Sequence, residues 1–110
     1  MDDRQFGAQV LEVPDEVRVR MRGDLDSRAD EQLSAAYGEV AALGSNRLTL
    51  DFRDVGYINS TGIALVVRLL ADARRDGRGV RAIGLTPHYR EIFRITRLSD
   101  FMDIVEGDAA

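Results

Sequence analysis

The sequence predicts an α/β fold, a sandwich in which helices pack on a mixed β-sheet in the order β-β-α-β-α-β-α-β. Three observations lead there. Residues 16–22 alternate cleanly, with Val17, Val19 and Met21 on one face and Arg18, Arg20 and Arg22 on the other, as a half-buried strand does. Leu33, Ala36, Tyr37, Val40 and Leu43 recur at helical spacing. Later in the chain a short apolar run, 80–85, meets Thr86-Pro87, a capping hydroxyl followed by proline at the first helical position.

The remaining elements follow in order. Residues 5–13 read as an irregular first strand, ended by the turn Pro14-Asp15 and paired as a hairpin with 16–22. Gly23-Asp24-Leu25-Asp26 closes that hairpin. Ser27 with Asp30 resembles a capping box that starts the first helix, and Gly44 stops it. Leu48, Leu50 and Phe52 alternate with Thr49 and Asp51, giving a strand over 47–52 and a loop over 54–59. The second helix spans 60–76 and ends at Gly77. The run 80–85 fits a central buried strand. Tyr89, Ile92, Phe93 and Thr96 mark the buried side of the third helix, and 102–105 adds a last short strand.

At 110 residues the chain suits one domain, 1–110, with 106–110 as a frayed tail. Composition narrows the chemistry. Without cysteine there are no disulfides, thiolate metal sites or cysteine nucleophiles. All fifteen basic residues are arginine, which removes Schiff-base and P-loop lysine chemistry. His88 is the single histidine and cannot hold a zinc ion alone. A net charge of -4 argues against direct nucleic-acid binding, and the row Arg18, Arg20, Arg22 has no interleaved aromatics. Apolar runs are too short to span a membrane, and MDDRQFG is not a signal peptide, so a cytoplasmic protein is expected. Asp24, Asp26, Asp51 and Asp54 are expected to form a solvated acidic rim, with no metal and no cofactor.

The informative segment runs from Asp51 through Asn59-Ser60-Thr61-Gly62 to Ile63, from a strand into a helix. Asn59 is placed to cap that helix. Ser60 then stands at its first turn, where free amides and the helix dipole favour negative charge. Gly62 allows close approach of another backbone. The Ser60 hydroxyl has three readings: a structural cap, a catalytic nucleophile, or a phosphorylation site. Catalysis needs a base and an orienting acid, and His88 is the only imidazole available. Phosphorylation would add about -1.5 to -2 charges to a surface contact.

Gly23-Asp24-Leu25-Asp26, Leu50-Asp51-Phe52 and Ile58-Asn59-Ser60-Thr61-Gly62-Ile63 together resemble the STAS domain, over nearly the whole chain in element order. The resemblance is to the stand-alone anti-sigma factor antagonists. It implies a non-enzymatic switch in which Ser60 is phosphorylated by an anti-sigma factor serine kinase, with a serine phosphatase as a further partner. Asp26, Asn59, Thr61 and Gly62 become the neighbours of the switch. Asn59 stands where the family has aspartate; it keeps the cap and drops a charge that would repel phosphate. The resemblance also implies docking of the kinase on the second helix. On a helical wheel Ile63, Val66, Val67 and Leu70 form the expected core stripe, leaving Leu65, Arg68 and Leu69 as the expected partner surface. An alternative is a STAS scaffold within a stress-sensing assembly.

Overall fold

A computed structural model describes residues 4–106. The chain forms β1 (Gly7–Val13), β2 (Glu16–Leu25), α1 (Asp30–Leu43), β3 (Arg47–Ile58), α2 (Ser60–Arg75), β4 (Gly79–Ile83), α3 (Pro87–Ile95) and β5 (Asp103–Ile104), with short 3-10 turns at Ser27–Ala29 and Leu98–Asp100. One sheet carries all five strands in the order β1-β2-β3-β4-β5. The β1–β2 hairpin is antiparallel, and β2 through β5 run parallel. This is the α/β order expected from the sequence. Of the tail expected at 106–110, only Glu106 is within the described residues.

Each parallel step from β2 to β5 moves the same way across the sheet, and right-handed crossovers then place α1, α2 and α3 on one face. Val17, Val19 and Met21 of β2, Leu48, Leu50 and Phe52 of β3, and Val80 and Ala82 of β4 turn towards those helices and join one core. Phe93 of α3 is fully buried and meets Phe52 edge-on, with ring centroids 5.7 Å apart.

The opposite face is a layer of ion pairs. Glu16 takes Arg18 and Arg81, each at 3.2 Å, and Arg20 reaches Asp54 at 3.6 Å. Asp51 is 1% exposed, so it is not part of a solvated rim. It accepts the Arg53 backbone N–H at 3.0 Å and is bound by the Arg53 guanidinium at 2.7 Å. Burial pushes the Asp51 carboxyl up, but the Arg53 hydrogen bonds and the Arg53 and Arg18 charges together outweigh it, holding it below its ordinary 3.8. A depressed carboxyl contributes stability that is complete above its unfolded value and lost as pH falls through its folded one. Urea denaturation of wild type and Asp51→Ala should therefore differ by about 1–3 kcal/mol at neutral pH. The difference should shrink below pH 3.8 as the wild-type carboxylate protonates.

Two local expectations change. The Ser27–Asp30 capping box is absent; Asp26 caps the turn instead, its Oδ1 accepting the Arg28 N–H at 3.0 Å. The 54–59 segment is strand, not loop, as far as Ile58. Its pairing with β2 shifts register between Arg20 and Arg22 and again between Gly23 and Asp24, so β3 carries two bulges that break the period of two.

The larger correction concerns α2. Its buried arc runs through Gly62, Leu65, Val66, Leu69, Leu70 and Ala73, while Val67 is 47% exposed. Leu65 and Leu69, expected on the surface, face α1 in a crevice with Leu33 and Tyr37. Arg68 is likewise committed to α1, donating to the Asp30 carboxylate and to Ser34 Oγ. A helix lying on a sheet beside a second helix buries more than a single stripe, and here the arc is turned towards α1. Leu65→Ala should cost about 2–5 kcal/mol in chemical denaturation. Val67→Ala should stay within about 0.5 kcal/mol of wild type.

Candidate functional site

Parallel strands bring their carboxyl ends to one edge of the sheet, where α/β proteins build sites. Here β2 delivers Asp26, β3 delivers Asn59 and Ser60, and β4 leads through Thr86 into α3. The first two meet closely. Leu25 pairs with Ile58, and the Leu25 carbonyl accepts the Asn59 N–H at 3.3 Å.

Asn59 has extended backbone, and its Oδ1 accepts the Gly62 N–H at 2.9 Å. This is the cap expected from the sequence. Its own carbonyl accepts the Ile63 N–H at 3.0 Å, so α2 begins at Ser60. Ser60 and Thr61 are exposed, and the Ser60 hydroxyl makes no hydrogen bond among the described residues. Gly62 is buried against β2: a Cβ there would lie 1.9 Å from the Leu25 carbonyl oxygen. Only a hydrogen fits, and that contact sets where the α2 start rests on the sheet.

Charged groups surround this corner. Asp26 binds the Arg28 guanidinium at 2.9 Å, and Asp24 lies 3.9 Å from the same group. The Arg28 side-chain hydrogen bonds, with its backbone N–H second, hold the Asp26 carboxyl below the ordinary carboxylate value. Asp26 is thus ionised at neutral pH, directly after Leu25, the β2 residue whose carbonyl meets the α2 cap.

One contributor escaped sequence reasoning. The Tyr89 hydroxyl accepts the Ile58 N–H at 3.0 Å, tying α3 to the residue two before Ser60. Tyr89 shares a helical face with Ile92 and Phe93, which reads as core alone; nothing local signals the hydrogen bond. His88 packs against the Tyr89 ring at 5.0 Å between centroids and has no hydrogen bond or ion pair to Ser60 among the described residues.

Among the described residues, no group of three or more His, Cys, Asp or Glu could hold a metal ion, and no helix is long and apolar enough to cross a membrane. Of the expected site residues, the fold gathers Asp26, Asn59, Ser60, Thr61 and Gly62 at one corner. It turns Leu65, Arg68 and Leu69 away to the α1 contact.

Known proteins resemble this arrangement. The chain is 26% identical over 89 residues to the anti-sigma-B factor antagonist of Staphylococcus aureus, covering 81% of this chain and 82% of that protein. The Staphylococcus epidermidis protein of the same name matches over the same extent. Among solved structures, an anti-sigma factor antagonist from Mycobacterium paratuberculosis superposes with a TM-score of 0.80 at 17% identity, over 96% of this chain and 90% of that one. The unphosphorylated anti-sigma factor antagonist SpoIIAA superposes with a TM-score of 0.71 at 19% identity, over 92% of this chain and 89% of that one. The family model described as "Mlab, STAS domain" matches residues 8–106, and the chain therefore belongs to the STAS domain family.

Proposed function

We propose that this protein is an anti-sigma factor antagonist that binds an anti-sigma factor serine kinase in the cytoplasm. It releases the sigma factor when Ser60 is unmodified and lets go of the kinase when Ser60 is phosphorylated. The observation that carries the reading is the Ser60 hydroxyl: exposed, without an internal partner, and at the first turn of a capped helix. A kinase can reach such a group without unfolding anything. The names of the similar proteins support the same reading, as does the existence of a similar fold, SpoIIAA, in a phosphorylated form.

In this role the unmodified serine is small and neutral, and a partner surface covers it at little cost. A phosphate there is a strongly hydrated dianion that the partner must strip of water. A serine phosphatase resets the switch. Asn59 supports the helix start as aspartate would, so the cap persists through the cycle. The role is one of binding, without catalysis by Ser60 or His88.

The test is incubation with the cognate anti-sigma factor kinase and ATP, followed by mapping of phosphate by mass spectrometry. One phosphate should appear, on Ser60, and none on Ser60→Ala. An active kinase that leaves Ser60 unmodified, or marks another residue, contradicts the switch.

A further inference from the structure

On the flank away from α1, α2 shows solvent an exposed row of Ser60, Ala64, Val67 and Ala71, at helical spacing. The far half of that row walls a groove of about 270 Å³, closed opposite by Leu98 and Phe101 from the turn after α3. The groove gathers two large apolar side chains with substantial exposure, Val67 at 47% and Phe101 at 52%, and Ile95, 65% exposed, lies at the end of α3 just before it. Single exposed apolar residues are ordinary; a cluster of them is not.

The rim gives the groove a sign. Arg74 lies over the Phe101 ring, 5.4 Å from its centroid, and has no carboxylate within ion-pair distance among the described residues. Arg97 stands on the other side, paired with Asp100 at 2.8 Å. In a chain of net charge -4, an apolar trough edged by a guanidinium with no carboxylate partner among the described residues is complementary to aliphatic side chains flanked by carboxylates. Covering Arg74 desolvates it, and an acidic group opposite offsets that cost.

We propose that this groove docks an acidic amphipathic helix of a partner protein, as a second contact separate from Ser60. Ala71 lies 11 residues beyond Ser60, about 16 Å along the helix, outside the range at which a surface phosphate is felt at physiological salt. The groove therefore binds alike in both phosphorylation states. The anti-sigma factor as the source of the helix rests on the switch reading; the groove's binding capacity does not.

The test uses the whole chain, labelled with nitrogen-15 and titrated with a synthetic helical peptide. The peptide carries leucine at i, i+3, i+4 and i+7 and glutamate between; a second peptide carries lysine in place of glutamate. Saturable shifts are expected at Val67, Ala71, Arg74 and Phe101 with the acidic peptide. Affinity should fall about tenfold or more in Val67→Glu and in Arg74→Glu and stay unchanged in Ser60→Glu. Equal binding of the lysine peptide, no shift at these residues, or the same shifts on concentrating the protein alone (a second copy as occupant) each overturn the proposal. None of these outcomes bears on phosphate mapping at Ser60, so the two readings fail separately.

Discussion

Gly62→Ala should lower the thermal midpoint by roughly 10–15 °C, whereas Gly38→Ala should raise it by a few degrees. Both glycines lie in helices, so propensity alone favours alanine at each by about 1 kcal/mol. The surroundings decide the sign. At Gly38 a Cβ would meet nothing within 4 Å, and the propensity gain stands. At Gly62 it would lie 1.9 Å from the Leu25 oxygen and 2.7 Å from the Leu25 carbonyl carbon, both backbone atoms of a sheet strand. No rotamer relieves that clash, so α2 must lift from β2. Overpacking of this kind costs about 3 kcal/mol or more, which leaves a net loss of roughly 2–3 kcal/mol after propensity. The displaced helix start carries Ser60, so phosphorylation of the variant should slow as well. Calorimetry of the two variants reads the stability difference directly.

The second large effect belongs to Ser60 itself. Ser60→Glu should weaken binding to the cognate anti-sigma factor by about a hundredfold or more, while Ser60→Ala should bind near wild type and take up no phosphate. Two forces act on a negative group at that position, and they oppose each other. The α2 N-terminus favours it by about 0.3–1 kcal/mol, in the free protein and in the complex alike. Removing its water at an interface costs several kcal/mol when no cation is waiting, and only the complex bears that cost. The desolvation cost is the larger and the only one that discriminates, so affinity falls by orders of magnitude. Arg28, in the turn after β2, is held by Asp26 at 2.9 Å.

Elements whose signals are local were legible in the sequence. The alternation of Val17, Val19 and Met21, the Thr86-Pro87 start and the Gly44 stop each depend on residues within one turn or strand, and the structure agrees at all three. Asn59 as the cap of α2 was legible for the same reason. Readings failed where the deciding contact lay far along the chain. The bulges of β3 answer to the register with β2, and they hid the far half of that strand behind a broken period. The wheel of α2 holds apolar residues around most of its circumference, so hydrophobicity alone does not say which arc is buried. Small residues do not settle it either, since Gly62 and Ala73 are buried while Ala64 and Ala71 are exposed. Tyr89 shows the same limit, since its bond to Ile58 joins residues 31 apart.

The most direct measurement is a pair of calorimetric titrations of the cognate anti-sigma factor, with wild-type protein unmodified and with the same protein phosphorylated stoichiometrically at Ser60. A tight complex in the first and one at least about a hundredfold weaker in the second is the predicted result. Equal affinities would contradict it and leave Ser60 as a helix-start residue with no part in regulation.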